Sequence, residues 1–556
     1  MATATKTSLR TPLDNLYQWE NELATKVYLN QPLGGEWHTW TWKEFGTEVR
    51  KMAAVIRARG IEPGSRIALV SKNCAHWLMS DLAIMMSGCI SVPIYPNVNA
   101  DTVSYILKHS AAKLLFVGKL EAHDWREMKK GVPAGMDCIS FGIYGLDEQD
   151  YPTWDEVAAE VEPMTENPRP SPEDVMTIIY TSGTTGTPKG VVHKYISPAY
   201  ASQAIFSEFG IGQNDRFFSY LPLSHIAERM LVMMGTTGSG ASVHFAESLD
   251  TFAENLRTCR PTVFLAVPRI WAKFQTGVFA KFSPSRLNLL LSIPLLGGIL
   301  RKKIRAALGL DQAKTLLTGA APIPVSLLKW YDKLGMTIYE VYGMTENSAY
   351  SHSNLPGRRK PGTVGQTLEG VETKITDEGE ICVKSIVNMV EYYREPEKTA
   401  ETLRDGWLHT GDKGEIDAEG YVRITGRVKD IFKTSKAKYV APSPIEMKLS
   451  KNDFVEQVCV VGTGIPQPIA LVVLSPDARA KAQDLIKASL NDTLQEVNPT
   501  LEHHERLQKL VVVRDEWTPE NGILTPTLKI KRGAVDDRYQ IHYEKWYEGG
   551  KGVVWE

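Results

Sequence analysis

The segment from Tyr180 to Gly190 reads YTSGTTGTPKG. It is a run of glycines and hydroxyl-bearing residues with a single lysine near its end. Apolar stretches suited to β-strands flank this run on both sides. Backbone N–H groups and hydroxyls in such a loop can surround a polyphosphate, because glycine lets the main chain approach a ligand closely. The run is not a Walker A loop, since Thr187-Pro188-Lys189 breaks that pattern. A flexible linker is the alternative, but linkers seldom lie between two apolar strands.

A second cluster, YEVYGMTE from Tyr339 to Glu346, could hold a nucleotide and a metal ion. Tyr342 offers a flat face for an adenine ring, Thr345 a hydroxyl for a phosphate, and Glu346 a hard oxygen ligand for Mg²⁺. Just upstream, the small residues within Thr318 to Pro322 could let a planar ligand lie against the backbone. Taken alone, these segments favour close packing between a strand and a helix over a ligand site.

Two more side chains lie in segments that suit a nucleotide. Asp412, in WLHTGD, could accept hydrogen bonds from two ribose hydroxyls with its coplanar oxygens, and Arg427 follows it in the chain. Lys529 lies in the loop NGILTPTLKIKR, where its ammonium could stabilise the charge that develops when an α-phosphate is attacked. A capping aspartate and a basic surface strand are the local alternatives.

The length and bulk composition predict a globular protein of more than one domain. The chain has 556 residues, of which 43% are hydrophobic and 23% charged. Its net charge of −2 argues against non-specific binding to nucleic acid. Six cysteines without a CxxC pair argue against a zinc site or disulfide framework and fit a reducing compartment. Since no secretory signal or long apolar run is present, a cytoplasmic location is predicted.

One apolar segment complicates this prediction. Leu287 to Leu300 is mostly apolar and is followed by the basic run RKKIR, from Arg301 to Arg305. It is too short to span a bilayer, but apolar residues beside a basic cluster suit the surface of an anionic membrane. The sequence therefore allows peripheral membrane contact near 287–305. A buried hairpin of two core helices with a solvated basic end is the alternative.

Strand-like and helical stretches alternate over the first 430 or so residues. Strands are predicted at 66–70, 90–93 and 113–117, with a helix at 77–86 between the first two. Such alternation predicts βαβ units and largely parallel sheets flanked by helices. An antiparallel ribbon of 379–384 with 420–424 is expected next.

A composition shift near residue 427 predicts a domain boundary. Residues 1–426 would form a large N-terminal domain, and residues 427–556 a smaller and more charged α+β domain. Strands are predicted in this second domain near 458–461 and 469–474.

Together and in this order, these motifs resemble the adenylate-forming superfamily of acyl-CoA synthetases, luciferases and peptide-synthetase adenylation domains. The resemblance runs from TWKEF at Thr41–Phe45 to Lys529. Long-chain fatty acyl-CoA synthetases are the most similar branch, on VPRIW at 267–271, LPLSHIAER at 221–229 and ENGILTPT at 520–527. The family's fold is α/β, with a large N-terminal domain of mixed and parallel sheets, a small β-barrel-like subdomain and a mobile α+β C-terminal domain.

The resemblance implies a two-step reaction. A fatty acid carboxylate of medium to long chain attacks the α-phosphate of ATP, giving acyl-AMP and pyrophosphate with the help of Mg²⁺. The thiol of coenzyme A then displaces AMP and gives a thioester. In the family the C-terminal domain closes for the first step and rotates for the second, about a hinge that matches Lys429.

The resemblance also implies a role for individual residues of this chain. Catalytic roles fall to Lys529, Glu346, Thr184 and His225, with Glu346 and Thr184 at the metal and His225 at the mouth of the acyl tunnel. The nucleotide-binding residues are Thr181, Ser182, Gly183, Thr184, Thr185, Gly186 and Lys189 at the phosphates, Gly319, Ala320, Ala321, Glu340, Val341, Tyr342 and Gly343 at the adenine, Thr345 at a phosphate, Asp412 and Arg427 at the ribose, and Lys429, Lys433 and Lys529 from the C-terminal domain.

One position departs from the family pattern. Ala437 stands where relatives usually have glycine, in a loop that meets the nucleotide during thioester formation. If this position needs a positive φ, alanine costs roughly 1 kcal/mol and its Cβ could crowd the path of the thiol. An acyl-AMP ligase that passes the acyl group to a carrier protein or an amine is therefore an alternative. A luciferase-like oxidoreductase and a catalytically inactive binding protein fit the motifs less well.

Overall fold

The computed structural model describes residues 9–146, 148, 150–181, 187–525, 528–550 and 552–556. These residues form two compact units. Unit 1 consists of the described residues within Met1–Thr181, together with Pro188–Glu372 and Val383–Leu408. Unit 2 contains Thr373–Cys382 and the described residues within His409–Glu556. The sequence boundary near residue 427 stays a prediction.

The helices of the described residues lie mostly between strands. They are α1 (Pro12–Glu22), α2 (Trp42–Ala58), α3 (Ala75–Met86), α4 (Ala100–Ser110), α5 (Ala122–Lys129), α6 (Trp154–Ala159), α7 (Ile196–Phe209), α8 (Ile226–Glu228), α9 (Gly235–Ser239), α10 (Phe252–Cys259), α11 (Pro268–Phe279), α12 (Pro284–Ser292), α13 (Leu296–Ala307), α14 (Val325–Lys333), α15 (Pro396–Thr402), α16 (Pro442–Leu449), α17 (Pro476–Arg479), α18 (Gln483–Val497), α19 (Arg532–Tyr539) and α20 (Tyr543–Glu548). A π-helical turn spans Arg229–Met234, and 3₁₀ turns span Thr345–Asn347, Asn498–Thr500 and Gln540–His542.

The strands of the described residues are short, as is usual in α/β proteins. They are β1 (Val27–Leu33), β2 (Glu36–Thr41), β3 (Arg66–Val70), β4 (Ile90–Ile94), β5 (Leu114–Val117), β6 (Asp137–Ser140), β7 (Val175–Thr181), β8 (Lys189–Lys194), β9 (Arg216–Ser219), β10 (Ser242–Phe245), β11 (Val263–Leu265), β12 (Thr315–Thr318), β13 (Ile338–Tyr342), β14 (His352–Ser353), β15 (Gln366–Thr367), β16 (Val371–Ile375), β17 (Glu380–Ser385), β18 (Leu403–Arg404), β19 (Trp407–Ile416), β20 (Val422–Arg427), β21 (Phe432–Lys433), β22 (Tyr439–Val440), β23 (Val455–Val461), β24 (Ile469–Leu474), β25 (Lys509–Val512) and β26 (Gly552–Trp555).

The first sheet of unit 1 confirms the predicted βαβ alternation. Its strand order is β6-β5-β3-β4-β7-β8, and only β8 runs antiparallel to its neighbour. Every residue of α3 is buried, and this helix joins the parallel strands β3 and β4. The TWKEF segment opens α2 with a capping box, in which Thr41 and Glu44 satisfy each other's backbone N–H groups. The predicted strands at 66–70, 90–93 and 113–117 correspond to β3, β4 and β5.

The second sheet of unit 1 contains the strands that lead into the predicted segments 319–321 and 343–346. Its strand order is β15-β14-β13-β12-β11-β9-β10-β1-β2. The pairs from β13 through β12, β11, β9 and β10 to β1 are all parallel, and the strands at both edges are antiparallel. Parallel strands leave their carboxyl ends at one edge of a sheet, and this is the edge where α/β proteins bind ligands.

The prediction that 379–384 and 420–424 pair directly in an antiparallel ribbon is wrong. The smaller sheet has the order β16-β17-β19-β18, with β20 also on β19, so that β19 lies between the two expected partners. β19 is ten residues long but contains two glycines and several polar residues, a pattern that does not indicate a strand by composition. It also carries Asp412, one of the predicted ribose ligands.

Unit 2 confirms the α+β prediction for the C-terminal part of the chain. Its main sheet has the order β23-β24-β25-β26, and the first two strands contain the predicted segments 458–461 and 469–474. All six residues of β24 are buried. The hairpin of β21 and β22 precedes this sheet and contains the loop around Ala437.

The apolar segment 287–300 forms parts of α12 and α13 and the turn between them. Leu287, Leu291 and Ile304 are buried, but Leu289 and Ile299 are exposed. Only one side of the hairpin packs on the protein, so the alternative of a buried hairpin with a solvated basic end is correct in part, and membrane contact stays a prediction. Among the described residues, no helix combines the length and apolarity needed to cross a bilayer.

Candidate active site

Two predicted segments of unit 1 meet at the carboxyl edge of the second sheet. β12 and β13 are parallel neighbours in the register Leu316↔Ile338 to Thr318↔Glu340. The residues that follow them, 319–321 and 343–346, therefore leave the sheet side by side. This neighbourhood confirms that the structure brings the two segments together, while their contact with adenine stays a prediction.

Small residues are required where these segments leave the sheet. A Cβ at Gly343 would lie 2.3 Å from the backbone of Ala349, and one at Gly319 would lie 3.0 Å from Val341. Ala320 and Ala349 have φ angles of 65° and 54°, which cost an L-residue free energy. Strained backbone of this kind is concentrated at ligand sites in proteins.

Glu340 is the middle residue of β13, and its carboxylate is deeply buried. Burial raises its pKa to about 7, although the Gly362 N–H donates to Oε2 at 3.1 Å. Near neutral pH this side chain can therefore act as a hydrogen-bond donor as well as an acceptor.

Thr345 and Glu346 lie together in a short 3₁₀ turn, and the backbone carbonyls of both residues accept hydrogen bonds. The His193 Nε2–H donates to the Thr345 carbonyl over 2.7 Å, and the Met389 N–H donates to the Glu346 carbonyl over 2.7 Å. Burial lowers the pKa of His193 to about 4, so its ring is neutral at physiological pH. The turn that carries the predicted metal ligand thus rests on fixed neutral donors.

Tyr392 connects two of the predicted residues, and the sequence motifs do not include it. Its hydroxyl donates to Glu346 Oε1 at 2.7 Å, and the Lys189 Nζ lies 4.6 Å from the centre of its ring. The ring is 4% exposed, and burial beside Glu346 raises the pKa of its hydroxyl. Lys189 and Glu346 are therefore brought together by one side chain. A tyrosine pair in EYYRE was the only local signal, and it carries no chemical pattern.

Lys189 is the first residue of β8, so the strand fixes the position of its backbone. Thr181, at the end of β7, pairs with Lys189 across the antiparallel ladder. The Tyr393 N–H donates to the Gly190 carbonyl at 2.7 Å, which fixes the segment around Tyr392 against β8. The predicted phosphate residues Ser182, Gly183, Thr184, Thr185 and Gly186 lie outside the described residues.

The two predicted ribose residues are direct neighbours in unit 2. Asp412 on β19 faces Arg427 on β20 in the ladder, and the Arg427 Nε donates to Asp412 Oδ1 over 2.8 Å. The Asp412 side chain is 9% exposed, whereas that of Arg427 is 45% exposed. Glu380 fixes this part of β19, because it accepts hydrogen bonds from the Gly411 N–H and from His409.

The basic residues of unit 2 that the sequence predicts at the nucleotide are all exposed. Lys429 follows β20, and the Lys433 Nζ lies 5.5 Å from the centre of the Tyr439 ring. Two hydrogen bonds join Lys529 to Thr525: the Lys529 N–H donates to Thr525 Oγ1 at 3.0 Å, and the Lys529 carbonyl accepts from the Thr525 N–H at 2.8 Å. The backbone of Lys529 is thus fixed while its side chain reaches solvent.

His225 is the N-cap of α8, and its Nδ1 accepts a hydrogen bond from the Ala227 N–H at 3.2 Å. The ring makes an edge contact with Tyr95, with a centroid distance of 6.5 Å. The position at the mouth of an acyl tunnel stays a prediction.

Glu228, three residues beyond His225, is a fully buried carboxyl group. Its Oε1 accepts from Ser219 Oγ at 2.9 Å, from the Tyr220 N–H at 3.1 Å and from Asn73 Nδ2 at 3.3 Å. Burial nevertheless raises its pKa to about 8. Glu228 is therefore protonated in the folded protein at neutral pH.

We expect Glu228→Gln to make the free energy of unfolding less dependent on pH. The unfolded state releases this proton near the ordinary pKa of 4.5 and the folded state near 8, so wild-type stability falls as pH rises between these values. The loss reaches at most ~1.4 kcal/mol per pH unit. Glutamine keeps the shape and cannot ionise, so the variant should gain on wild type as pH rises. Urea unfolding across this range measures the gain, with the exposed Glu254→Gln as control. Parallel curves for wild type and Glu228→Gln would contradict the assignment.

Ala437 has the positive φ angle at which alanine, unlike the glycine of relatives, is strained. Its φ is 58°, and its N–H donates to the Thr434 carbonyl at 2.9 Å within the turn between β21 and β22. The side chain is exposed. Alanine is therefore strained in this conformation, and its Cβ projects from the tip of the hairpin.

We expect Ala437→Gly to accelerate thioester formation by up to ~5-fold, because glycine removes roughly 1 kcal/mol of backbone strain and the projecting Cβ. Formation of acyl-AMP should be unchanged. Single-turnover transfer from preformed acyl-AMP to coenzyme A measures the effect. Ala480→Gly, at an exposed position with φ of −79°, is the matched control. An unchanged transfer rate in Ala437→Gly would disprove the hypothesis.

The family models that match this chain are those of AMP-binding enzymes. The family model for AMP-binding enzymes matches residues 16–393, and the model for their C-terminal domain matches residues 429–551. The first match alone covers most of the chain. The chain therefore belongs to the AMP-binding enzyme family.

Individual relatives extend over almost the whole chain. A protein named long-chain-fatty-acid–CoA ligase FadD15 from Mycobacterium bovis is 29% identical over 96% of this chain and 96% of its own. Long chain acyl-CoA synthetase 2 from Arabidopsis thaliana is 27% identical over 98% of this chain and 94% of its own. The crystal structure of a carboxylate reductase adenylation domain from Mycobacterium chelonae has the same fold, with a TM-score of 0.82 at 21% identity over 97% of this chain and 91% of its own.

Proposed function

We propose that this protein is an AMP-forming fatty acid:CoA ligase for medium to long acyl chains. The observation that carries the proposal is the convergence of Lys189, Tyr392 and Glu346 beside the carboxyl edge that holds 319–321 and 343–346. The names of the full-length relatives support the fatty acid and coenzyme A as substrates. ATP is the proposed source of the adenylyl group.

In the first step, a carboxylate oxygen of the fatty acid attacks the α-phosphorus of ATP, and the bond from that phosphorus to the bridging oxygen breaks. The products are acyl-AMP and pyrophosphate. Two anions repel each other as they approach, so positive charge must be placed at the phosphates beforehand. Lys189 is proposed to contact the pyrophosphate portion and Lys529 the α-phosphate.

In the second step, the sulfur of coenzyme A attacks the acyl carbonyl and AMP leaves with the bonding electrons. The thiol proton passes to solvent or to the leaving phosphate. Asp412 and Arg427 are proposed to hold the ribose of AMP through both steps, because the carboxylate is already oriented by the guanidinium. The proposed roles are divided between the two units.

The residues around Glu346 fit a magnesium ion. Its carboxylate offers hard oxygen, and within the described residues Oε2 receives no hydrogen bond, while Oε1 is oriented by Tyr392. Glu346 is proposed as a ligand, and Thr184 as a second one. When bound, the ion supplies positive charge to the departing pyrophosphate.

One assay tests the proposed function against its alternatives. Purified protein is given ATP, Mg²⁺ and fatty acids from octanoate to stearate, with and without coenzyme A, and release of pyrophosphate, AMP and ADP is measured. Acyl-CoA and AMP in equal amounts are expected. ADP would disprove adenylation. AMP turnover indifferent to coenzyme A would favour transfer to an acyl carrier protein or an amine, an acceptor that the strained Ala437 leaves open.

We also propose peripheral contact of residues 287–305 with a membrane surface. Fatty acids of this length partition into bilayers, so a ligase at the surface would meet its substrate there. This contact does not require a membrane-spanning helix.

A further inference from the structure

Five apolar side chains of the α12–α13 hairpin are exposed to solvent. Leu289 is 64% exposed, Leu295 88% and Ile299 56%, and Ile293 and Leu296 lie beside them at 40% and 43%. We call these five residues the hairpin surface. Leu295 lies in the turn with φ of 64°, so the strained backbone of the turn presents a leucine to solvent. A contiguous exposed apolar patch marks an interaction site in soluble proteins.

The opposite side of the hairpin is firmly built into unit 1. The Arg301 guanidinium donates to the carbonyl of Leu291 at 3.0 Å and to that of Lys333 at 2.7 Å. Gly297 lets the two helices approach, since a Cβ there would lie 2.4 Å from the Leu291 carbonyl oxygen. The hairpin is therefore a fixed element, and its apolar outer side is a consequence of the fold.

The charge around the hairpin surface has one sign. Between Glu254 and Asp311 the chain contains no Asp or Glu but has Arg257, Arg260, Arg269, Lys273, Lys281, Arg286, Arg301, Lys302, Lys303 and Arg305. Lys281, Arg286, Lys302 and Lys303 are exposed. Two nearby acidic groups are already in ion pairs. Asp311 is paired with Arg260, and Asp332 on α14 is paired with Arg359. This local excess contrasts with a net charge of −2 for the whole chain.

We propose that the α12–α13 hairpin binds the surface of an anionic phospholipid membrane. The hairpin surface enters the boundary between headgroups and acyl chains, and the surrounding lysines and arginines contact lipid phosphates. α13 has twelve residues, or about 18 Å, which suits insertion into one leaflet rather than a span of the bilayer. A second copy of this chain is a poor occupant, because it would bring the same positive charges together.

Vesicle co-sedimentation without ATP or fatty acid tests this proposal independently of catalysis. The full-length protein is mixed with vesicles of equal parts phosphatidylserine and phosphatidylcholine, and with vesicles of phosphatidylcholine alone. Binding to the anionic vesicles is expected, with at least ~10-fold weaker binding to the neutral ones, and it should weaken as salt is raised. Failure of the wild-type protein to bind anionic vesicles would overturn the proposal.

Two double variants separate the apolar and the charged contributions. Leu295→Ser with Ile299→Ser and Lys302→Glu with Lys303→Glu should each weaken binding at least ~10-fold, because each removes two exposed contacts. The matched controls are Leu249→Ser, a leucine 92% exposed elsewhere in unit 1, and Lys108→Glu with Lys113→Glu. Because all these side chains are exposed, circular dichroism should show unchanged melting.

Two results would overturn the proposal after wild-type binding is established. One is that the hairpin variants bind as well as the controls. The other is that light scattering shows a wild-type dimer that the hairpin variants dissociate, since the hairpin surface would then be covered by a second copy of this chain.

Discussion

Replacement of Lys529 by methionine is expected to lower the rate of acyl-AMP formation by about 10²–10³-fold. The ammonium is proposed to stabilise the charge that develops on the α-phosphate, and methionine keeps the length of the side chain without its charge. The effect on binding of ATP should be smaller, because the charge matters most in the transition state.

Lys529 is exposed, so its replacement should change the chemistry without disturbing the packing of unit 2. The hydrogen bonds that join Lys529 to Thr525 use only the backbone of Lys529, so the variant should keep its fold. Single-turnover formation of acyl-AMP measures the first step, and transfer from preformed acyl-AMP to coenzyme A should remain near the wild-type rate. Lys451→Met, at an exposed lysine of unit 2, is the control. If both variants lost equally little, Lys529 would not act on the phosphate.

Replacement of Arg229 by methionine is expected to destabilise the protein by about 3–5 kcal/mol. Arg229 and Asp81 form a buried ion pair, with side-chain exposures of 1% and 0%. One guanidinium nitrogen donates to both Asp81 oxygens, at 2.7 and 2.8 Å, and another donates to Thr177 Oγ1 at 2.6 Å. Methionine would leave the Asp81 carboxylate buried without a partner.

Urea unfolding measures this loss against a surface pair. Arg260→Met breaks the ion pair with Asp311, in which the arginine side chain is 51% exposed, and should cost no more than ~1 kcal/mol. Asp81→Leu combined with Arg229→Met should be more stable than Arg229→Met alone, because the buried charge is removed with its partner. Equal losses for Arg229→Met and Arg260→Met would show that the burial of the pair has no energetic weight.

The elements that follow one simple pattern could be predicted from the sequence. β3, β4, β5 and β24 are apolar runs at strand length, as is the predicted part of β23, and the helix predicted at 77–86 corresponds to α3. Asp412 and Arg427 were assigned to one ligand by resemblance, and the β19–β20 register explains how two residues so separated in sequence become neighbours.

Features that depend on contacts distant in the chain could not be predicted. Tyr392 acquires its position from the pairing of its segment with β8, which no local pattern records. The raised pKa of Glu228 results from complete burial, whereas its sequence neighbours are those of an ordinary short helix. For Ala437 the sequence could state only the condition of a positive φ, and the hairpin geometry supplied the value of 58°.

The contacts of Tyr392 have a mechanical consequence for the candidate site. One aromatic side chain orients a cation through its ring face and an anion through its hydroxyl. These two forces differ in range and direction, but they act on the same rigid body. A rotation of this ring would disturb its contacts with the ammonium of Lys189 and with the carboxylate of Glu346 at once, so the positions of the two opposite charges are coupled through one side chain.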